Sequence, residues 1–296
     1  MQDLSSIRNV VFAGGGNRCF WQAGFWQVVA PATGLAPSRV ASVSAGAALS
    51  CAILADCIDD TVEITCDAIS RNPRNQYWGN LLRADPVFPH AAIYRQILLQ
   101  VMDEAAFKRL RQGPENRIEI SRIPSWLSPR WATLVGIGAY QLEKQWRHPV
   151  HPTFGRRLGF RAEFFSAGDC ESREQLADLI LASSCTPPFT PLSVWKQQAA
   201  LDGGLVDNVP VEGVGDVESE QSPTLVLLTR PYRMLPQVPG RHYVQPSEPP
   251  PVSSWDYTDP AGIRAAYALG KRDGEAFLSK AGRDYAEPKT VAEASP

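Results

Sequence analysis

Ser44 is the side chain in this 296-residue sequence best placed to act as a nucleophile, because of its surroundings. It stands in Val40-Ala41-Ser42-Val43-Ser44-Ala45-Gly46-Ala47-Ala48: an apolar run, a tight turn of small residues, then a small-residue helix. That order lifts a hydroxyl from a strand end and points the positive N-terminus of the next helix at it. A second strand–turn–helix unit precedes it, Val10-Val11-Phe12-Ala13-Gly14-Gly15-Gly16-Asn17-Arg18. Its glycines let backbone approach a ligand and offer N–H groups to developing negative charge, while Arg18 adds a cation near a helix start. Together the two units suit acyl transfer. Each alone is weak. A serine before a helix is as often a plain N-cap, and Ser42 stands where a G-x-S-x-G string has its first glycine. The glycine loop fails as a dinucleotide fingerprint, since Cys19 replaces the last glycine. It fails as a P-loop, since no Gly-Lys-Ser/Thr follows.

Two bases are compatible with Ser44. The order Ser44, Asp202 or Asp207, then His242 would follow an α/β-hydrolase triad, but that fold places several more strands before its nucleophile. His242 also sits in a proline-rich stretch, a poor support for an imidazole that must be held in place. Asp202 stands in Ala200-Leu201-Asp202-Gly203-Gly204, where a strand runs into a glycine turn, and can bond the Ser44 hydroxyl directly. The bland reading of Asp202 is a turn residue.

Three segments in order resemble the patatin-like phospholipases, which carry G-G-G-x-R-G, G-x-S-x-G, and D-G-G/A followed by x-x-x-N-x-P. Here they read Gly14-Gly15-Gly16-Asn17-Arg18-Cys19, Ser42-Val43-Ser44-Ala45-Gly46, and Asp202-Gly203-Gly204-Leu205-Val206-Asp207-Asn208-Val209-Pro210. Ala182-Ser183-Ser184-Cys185-Thr186-Pro187-Pro188-Phe189 is similar to the family's Ala-Ser-Ser…Pro turn. The resemblance covers residues 8–50 and 176–211. It implies a three-layer α/β/α fold with a mostly parallel sheet and a Ser44–Asp202 dyad without histidine. It implies an oxyanion hole at Gly14, Gly15 and Gly16 supported by Arg18, and neither metal nor cofactor. The implied reaction cleaves carboxylic esters of phospholipids, lysophospholipids or acylglycerols through an acyl-Ser44 intermediate. An acyltransferase using the same dyad and a catalytically silent lipid-binding protein are the alternatives, the latter because Cys19 and Ser42 replace motif glycines. If Cys19 needed a positive φ, it would cost about 1 kcal/mol. Beside Arg18 at a helix start its thiol could be activated; burial as an inert packing residue is the competing expectation.

The remaining composition is restrictive. A net charge of −2 with no basic block excludes a nucleic-acid partner. The longest apolar runs, such as 45–55, fall short of the ~20 residues of a membrane span. Met1-Gln2-Asp3-Leu4 carries no signal-like pattern, so a cytoplasmic protein is expected, with membrane association at the periphery and a lipid ester as partner. Six cysteines without a CxxC pair and four scattered histidines argue against disulfides and metal clusters. His148 and His151, with Pro149 between them, read as surface residues.

Strands are expected at 8–13, 38–43, near Ile118–Ile120 and Phe160–Phe164, ending at Leu201, and at 224–228. Helices are expected at 18–30, 45–55, from an Asp59-Asp60-Thr61 cap to Ser70, over 91–110, at 173–182 and at 261–278. Their alternation gives an α/β protein with a mostly parallel sheet. The division is a catalytic domain over 1–233 with an irregular insertion at about 122–150, and a proline-rich arm over 234–260. A C-terminal helix over 261–280 packs on the domain, and 281–296 form a disordered tail. Trp126, Trp131 and Trp146 are expected in the core, an interfacial lid being the alternative.

Overall fold

The computed structural model describes residues 6–83, 85–128, 131, 150–151, 154–215 and 223–286. Its centre is an eight-stranded sheet: β1 Asn9–Phe12, β2 Arg39–Val43, β3 Glu115–Arg122, β4 Arg161–Ser166, β5 Ser193–Trp195, β6 Gln198–Asp202, β7 Thr224–Leu227 and β8 Arg241–Val244. The order is β5-β6-β3-β2-β1-β7-β8, with β4 also paired to β3. The strands β3, β2, β1, β7 and β8 run parallel, while β4, β5 and β6 join antiparallel. Parallel strands covered on both faces are continuous apolar runs, and Val10, Val11, Phe12, Val40, Leu225, Val226 and Leu227 are all buried.

One face carries the helices. Val10, Phe12, Val40, Leu225 and Leu227 pack with α1 (Phe20–Thr33) and the C-terminal helix Pro260–Ala286. Further along that face, Ile118 and Ile120 pack with α2 (Ala45–Leu54), α4 (His90–Val101), α5 (Glu104–Gln112) and the helix Arg173–Ser183. Between α2 and α4 the chain forms α3, Ile58–Ser70. On the opposite face Val11, Ala41 and Val226 meet Val209, Val211 and Val214.

The pairing of β3 sets the site. Its residues 115–119 pair with β2, and its residues 120–122 pair with β6. Both partners lie on the same edge, because β4 holds the other edge over 117–122. The strands β2 and β6 therefore meet end to end along β3: Val43 is opposite Glu119, and Asp202 is opposite Ile120. The residue after Val43 is Ser44.

Several elements differ from expectation. The 91–110 stretch divides after Val101, because Asp103 accepts a hydrogen bond from the Ala106 N–H at 2.7 Å and starts a new helix. Asp59 and Asp60 lie inside the first turn of α3 and do not cap it. The strands β5 and β8 were unforeseen. The first is three residues long and turns into β6 through Lys196 and Gln197, both at positive φ. The second lies within the proline-rich arm, where prolines hide a strand signal. The C-terminal helix continues to Ala286, so the expected tail is helical at its start, and 287–296 lie outside the described residues.

Trp126 and Trp131 are exposed, which corrects the core expectation. Around Trp126, Ile123 and Leu127 take the inward positions against the Phe160 and Leu205 cluster. Trp146 and most of the 122–150 insertion lie outside the described residues.

Candidate active site

Ser44 joins β2 to α2 with φ 55° and ψ −133°, a conformation L-residues seldom adopt. The surroundings hold it there. Its N–H donates to Ser183 Oγ at 2.8 Å, and the Ser183 hydroxyl donates to the Glu119 carbonyl at 2.6 Å. Gly46 lets α2 start against the end of β1, since a Cβ there would come within 2.5 Å of the Ala13 carbonyl oxygen. Ser44 makes no side-chain bond to its own helix. Its hydroxyl donates to Asp202 Oδ2 at 2.8 Å, so the plain N-cap reading falls.

Asp202 is held on both oxygens. Oδ1 accepts the Gly204 N–H at 2.8 Å, and Oδ2 also accepts the Thr186 hydroxyl at 3.2 Å. Burial outweighs these bonds and pushes its carboxyl up to about 6. At neutral pH it is thus mostly a carboxylate, and more basic than an exposed one. The neighbouring Glu119 side chain is fully buried, and burial pushes its carboxyl well above the usual range.

The glycine loop is clamped from one side. The Gly14 carbonyl accepts Asn208 Nδ2 at 2.9 Å and Thr229 Oγ1 at 2.7 Å, and the Gly14 N–H donates to the Asn208 carbonyl at 3.0 Å. In a trans peptide the C=O and the following N–H point in opposite directions. Fixing the Gly14 carbonyl therefore aims the Gly15 N–H away from Asn208 and Thr229. Gly16 has φ 58°, and a Cβ there would lie 2.2 Å from the Ser254 carbonyl oxygen. Only glycine fits. Arg18 Nε donates to the Gly15 carbonyl at 3.2 Å. Gly14, Gly15, Gly16 and Arg18 all line the chamber with Ser44 and Asp202, but the Gly14 N–H is consumed within the fold.

Two cavities meet at Ser44. A chamber of about 270 Å³ is lined by the glycine loop, Asp202, Thr186, Arg18, Arg230 and the segment 253–255. A narrower pocket of about 60 Å³ runs between Phe20, Leu49, Tyr94, Ile97, Leu98 and Val101. Trp255 lines both.

The histidines stand elsewhere. His242 lies on β8, three strands from β2. His151 pairs through Nδ1 with Asp207 Oδ2 at 2.9 Å and through Nε2 with the Tyr243 hydroxyl at 3.0 Å, so it is no bare surface residue. His90 is buried among Phe189, Trp255 and Tyr257. His148 lies outside the described residues. Among the described residues no histidine bonds Ser44 or Asp202.

Cys19 and Ser42 are benign departures from the motif. Cys19 has φ −63°, so no glycine is needed there. It is buried, its Sγ lies 3.6 Å from the Ala13 carbonyl oxygen, and desolvation pushes its thiol far up despite Arg18. The activated-thiol expectation is therefore corrected. Ser42 Oγ is satisfied by Asn116 Oδ1 at 2.8 Å inside the sheet.

Sequence reading missed Ser183, Thr186, Thr229 and the 253–255 segment as parts of the site. Ser183 and Thr186 lie in the quoted Ala-Ser-Ser…Pro turn, which could have flagged them. Nothing local marks Ser254 or Trp255.

The family model of the patatin-like phospholipases matches residues 10–214, a span from β1 to just beyond Asp202 and Asn208. The chain belongs to the patatin-like phospholipase family. Membership implies lipid acyl hydrolase activity, and patatin-like phospholipases act on lipids. No curated protein matches the sequence. Among solved structures, VipD from Legionella pneumophila is similar with a TM-score of 0.46 and 12% identity, over 93% of this patatin-like chain and 67% of that one. Among the described residues no helix is long and apolar enough to cross a membrane.

Proposed function

We propose that the protein hydrolyses the carboxylic esters of phospholipids or lysophospholipids with Ser44 as nucleophile and Asp202 as base. The observation that carries this is the 2.8 Å Ser44–Asp202 hydrogen bond at the junction of a polar chamber and an apolar pocket. The acyl chain occupies the apolar pocket, and the ester carbonyl lies over Ser44. As Oγ attacks, Asp202 Oδ2 takes its proton. The N–H groups of Gly15 and Gly16 stabilise the oxyanion, and Arg18 supports the loop. The tetrahedral adduct collapses, and the departing alkoxide recovers the proton from Asp202. Water then repeats the sequence on the acyl-Ser44 ester, with Asp202 again accepting the proton, and frees the fatty acid. The guanidinium groups of Arg18 and Arg230 along the chamber favour a phosphate-bearing head group over a neutral acylglycerol. Six unpaired, buried cysteines suit a reducing cytoplasm, where the lipid is met at a membrane surface.

The silent-protein alternative loses its motivation, since neither Cys19 nor Ser42 distorts the loop or the turn. The test is a fluorophosphonate probe combined with a panel of phospholipids and acylglycerols, using wild type and Ser44→Ala. Probe labelling and fatty-acid release lost together in the variant are expected. Release retained by Ser44→Ala within tenfold of wild type would exclude Ser44 as the nucleophile. Acyl transfer to an added alcohol at the expense of free fatty acid would make the enzyme an acyltransferase.

A further inference from the structure

Between α3 and α4 the chain makes a loop whose large apolar side chains are mostly exposed. Trp78, Leu81 and Leu82 lie in the 3₁₀ segment Trp78–Arg83 with 62%, 64% and 93% of their surface exposed. The loop is shaped by its own bonds. Tyr77 N–H donates to the Val87 carbonyl at 2.8 Å, Asp85 N–H to the Asn80 carbonyl at 3.1 Å, and Asn80 Nδ2 to the Pro86 carbonyl at 2.8 Å. An apolar tip held in a fixed shape, and not collapsed onto the core, is built to meet something.

The loop is also braced against the roof of the catalytic chamber. Asn75 donates through Nδ2 to Asp256 Oδ1 at 2.9 Å and accepts the Tyr257 N–H at 2.8 Å, while Asn72 Nδ2 donates to the Tyr257 carbonyl at 2.8 Å. An aromatic chain runs the same way: Trp78 against Phe88, Phe88 against Phe189, and Phe189 stacked on Trp255 at 4.9 Å. Trp255 lines both cavities at Ser44. Arg83 closes the 3₁₀ segment itself, and Arg74 precedes it in the chain, with Asp85 just beyond; Arg71 is paired with Asp67, and Asp256 is bonded to Asn75.

We propose that the segment Trp78–Arg83 is an interfacial anchor that seats the enzyme on an anionic lipid surface, with Trp78, Leu81 and Leu82 entering the headgroup–acyl boundary. The chemistry selects lipid. Trp with leucines beside arginines is the pattern that lies at a bilayer surface, and arginines near it gain from anionic headgroups. The loop is joined by bonds and ring contacts to the segment roofing the pocket we assign to the acyl chain. This deepens the hydrolase reading, on which its purpose rests, yet docking is measurable without catalysis.

The test is vesicle co-sedimentation with Ser44→Ala protein, on phosphatidylcholine alone and on phosphatidylcholine containing phosphatidylglycerol. Binding to the mixed vesicles is expected, with Trp fluorescence shifted to the blue. Leu81→Ser/Leu82→Ser should weaken it at least about tenfold, and Arg83→Glu several-fold on the anionic vesicles only. On a short-chain soluble ester, the leucine variant in the Ser44 background should match wild type, while its release of fatty acid from vesicles falls. Unchanged vesicle binding in the leucine variant, or no binding by the parent, overturns the anchor. Loss of soluble-ester turnover in wild type would instead overturn the hydrolase reading and leave the docking result standing.

Discussion

Two strand–turn–helix units stand side by side at the carboxyl ends of neighbouring central strands and solve opposite problems. After β1 the chain presents backbone: the loop needs no side chain at Gly15, forbids one at Gly16, and is held by Asn208, Thr229 and Ser254 from outside. After β2 it presents a side chain, and a residue with a Cβ must occupy the positive-φ position itself. The first unit is relaxed and clamped. The second is strained, and is stabilised by the Ser183 hydroxyl that bridges its N–H to Glu119. In this pair of turns the strain falls on the unit that must present a hydroxyl. Where N–H groups suffice, glycine removes it.

Substitutions can break this division. The largest effect is expected on the side-chain side. Asp202→Asn removes the carboxylate that accepts the Ser44 hydroxyl and should lower kcat by at least ~10²-fold, whereas His242→Ala should stay near wild type; equal damage from both would restore a histidine triad. On the backbone side, Asn208→Ala or Thr229→Val frees the Gly14 carbonyl and lets the Gly15 N–H swing. Each should cost about tenfold in kcat with KM little changed, less than the ~10²–10³ lost with an oxyanion donor. A rise in KM alone would mean that the clamp serves binding only.

Smaller effects sharpen the comparison. With Asp202 near 6, kcat/KM should rise with pH through that value and be lost below it as the carboxylate protonates. Thr186→Val removes a bond that holds this carboxyl down, so the acid limb should move to higher pH. A limb that stays put would mean that another group titrates. Last, Ser44→Gly should be more stable than Ser44→Ala by about 1 kcal/mol, because glycine relieves the backbone at φ 55°. Equal melting temperatures would show that the turn is not strained.

Much of this was legible in residue types. Continuous apolar runs at β1, β2 and β7 declare a covered parallel sheet, and the two turns beside Gly14–Gly16 and Ser44 follow from small residues at strand ends. Asp202 was readable as a partner only through its glycine turn and the family string around it. The rest was hidden for physical reasons. The clamp on Gly14 comes from residues some two hundred positions away, so no local pattern contains it. Ser254 and Trp255 reach the site because the arm carries β8 and then crosses to the C-terminal helix, a path set by tertiary pairing. Trp126 looked like core by its size, but its neighbours Ile123 and Leu127 already fill the inward positions.

The end-to-end meeting of β2 and β6 on one edge of β3 also makes the dyad a gauge of assembly. Ser44 and Asp202 are separated by 158 positions in sequence, and their contact exists only when both strands have found their places on β3. A slip of either by one residue would shift its end by about 3.3 Å and turn its side chains to the other face. That offset exceeds the slack of a hydrogen bond. No partly paired sheet can be slightly active, so ester turnover during refolding should appear only once both β2 and β6 are in register on β3, and not with the collapse of the parallel centre.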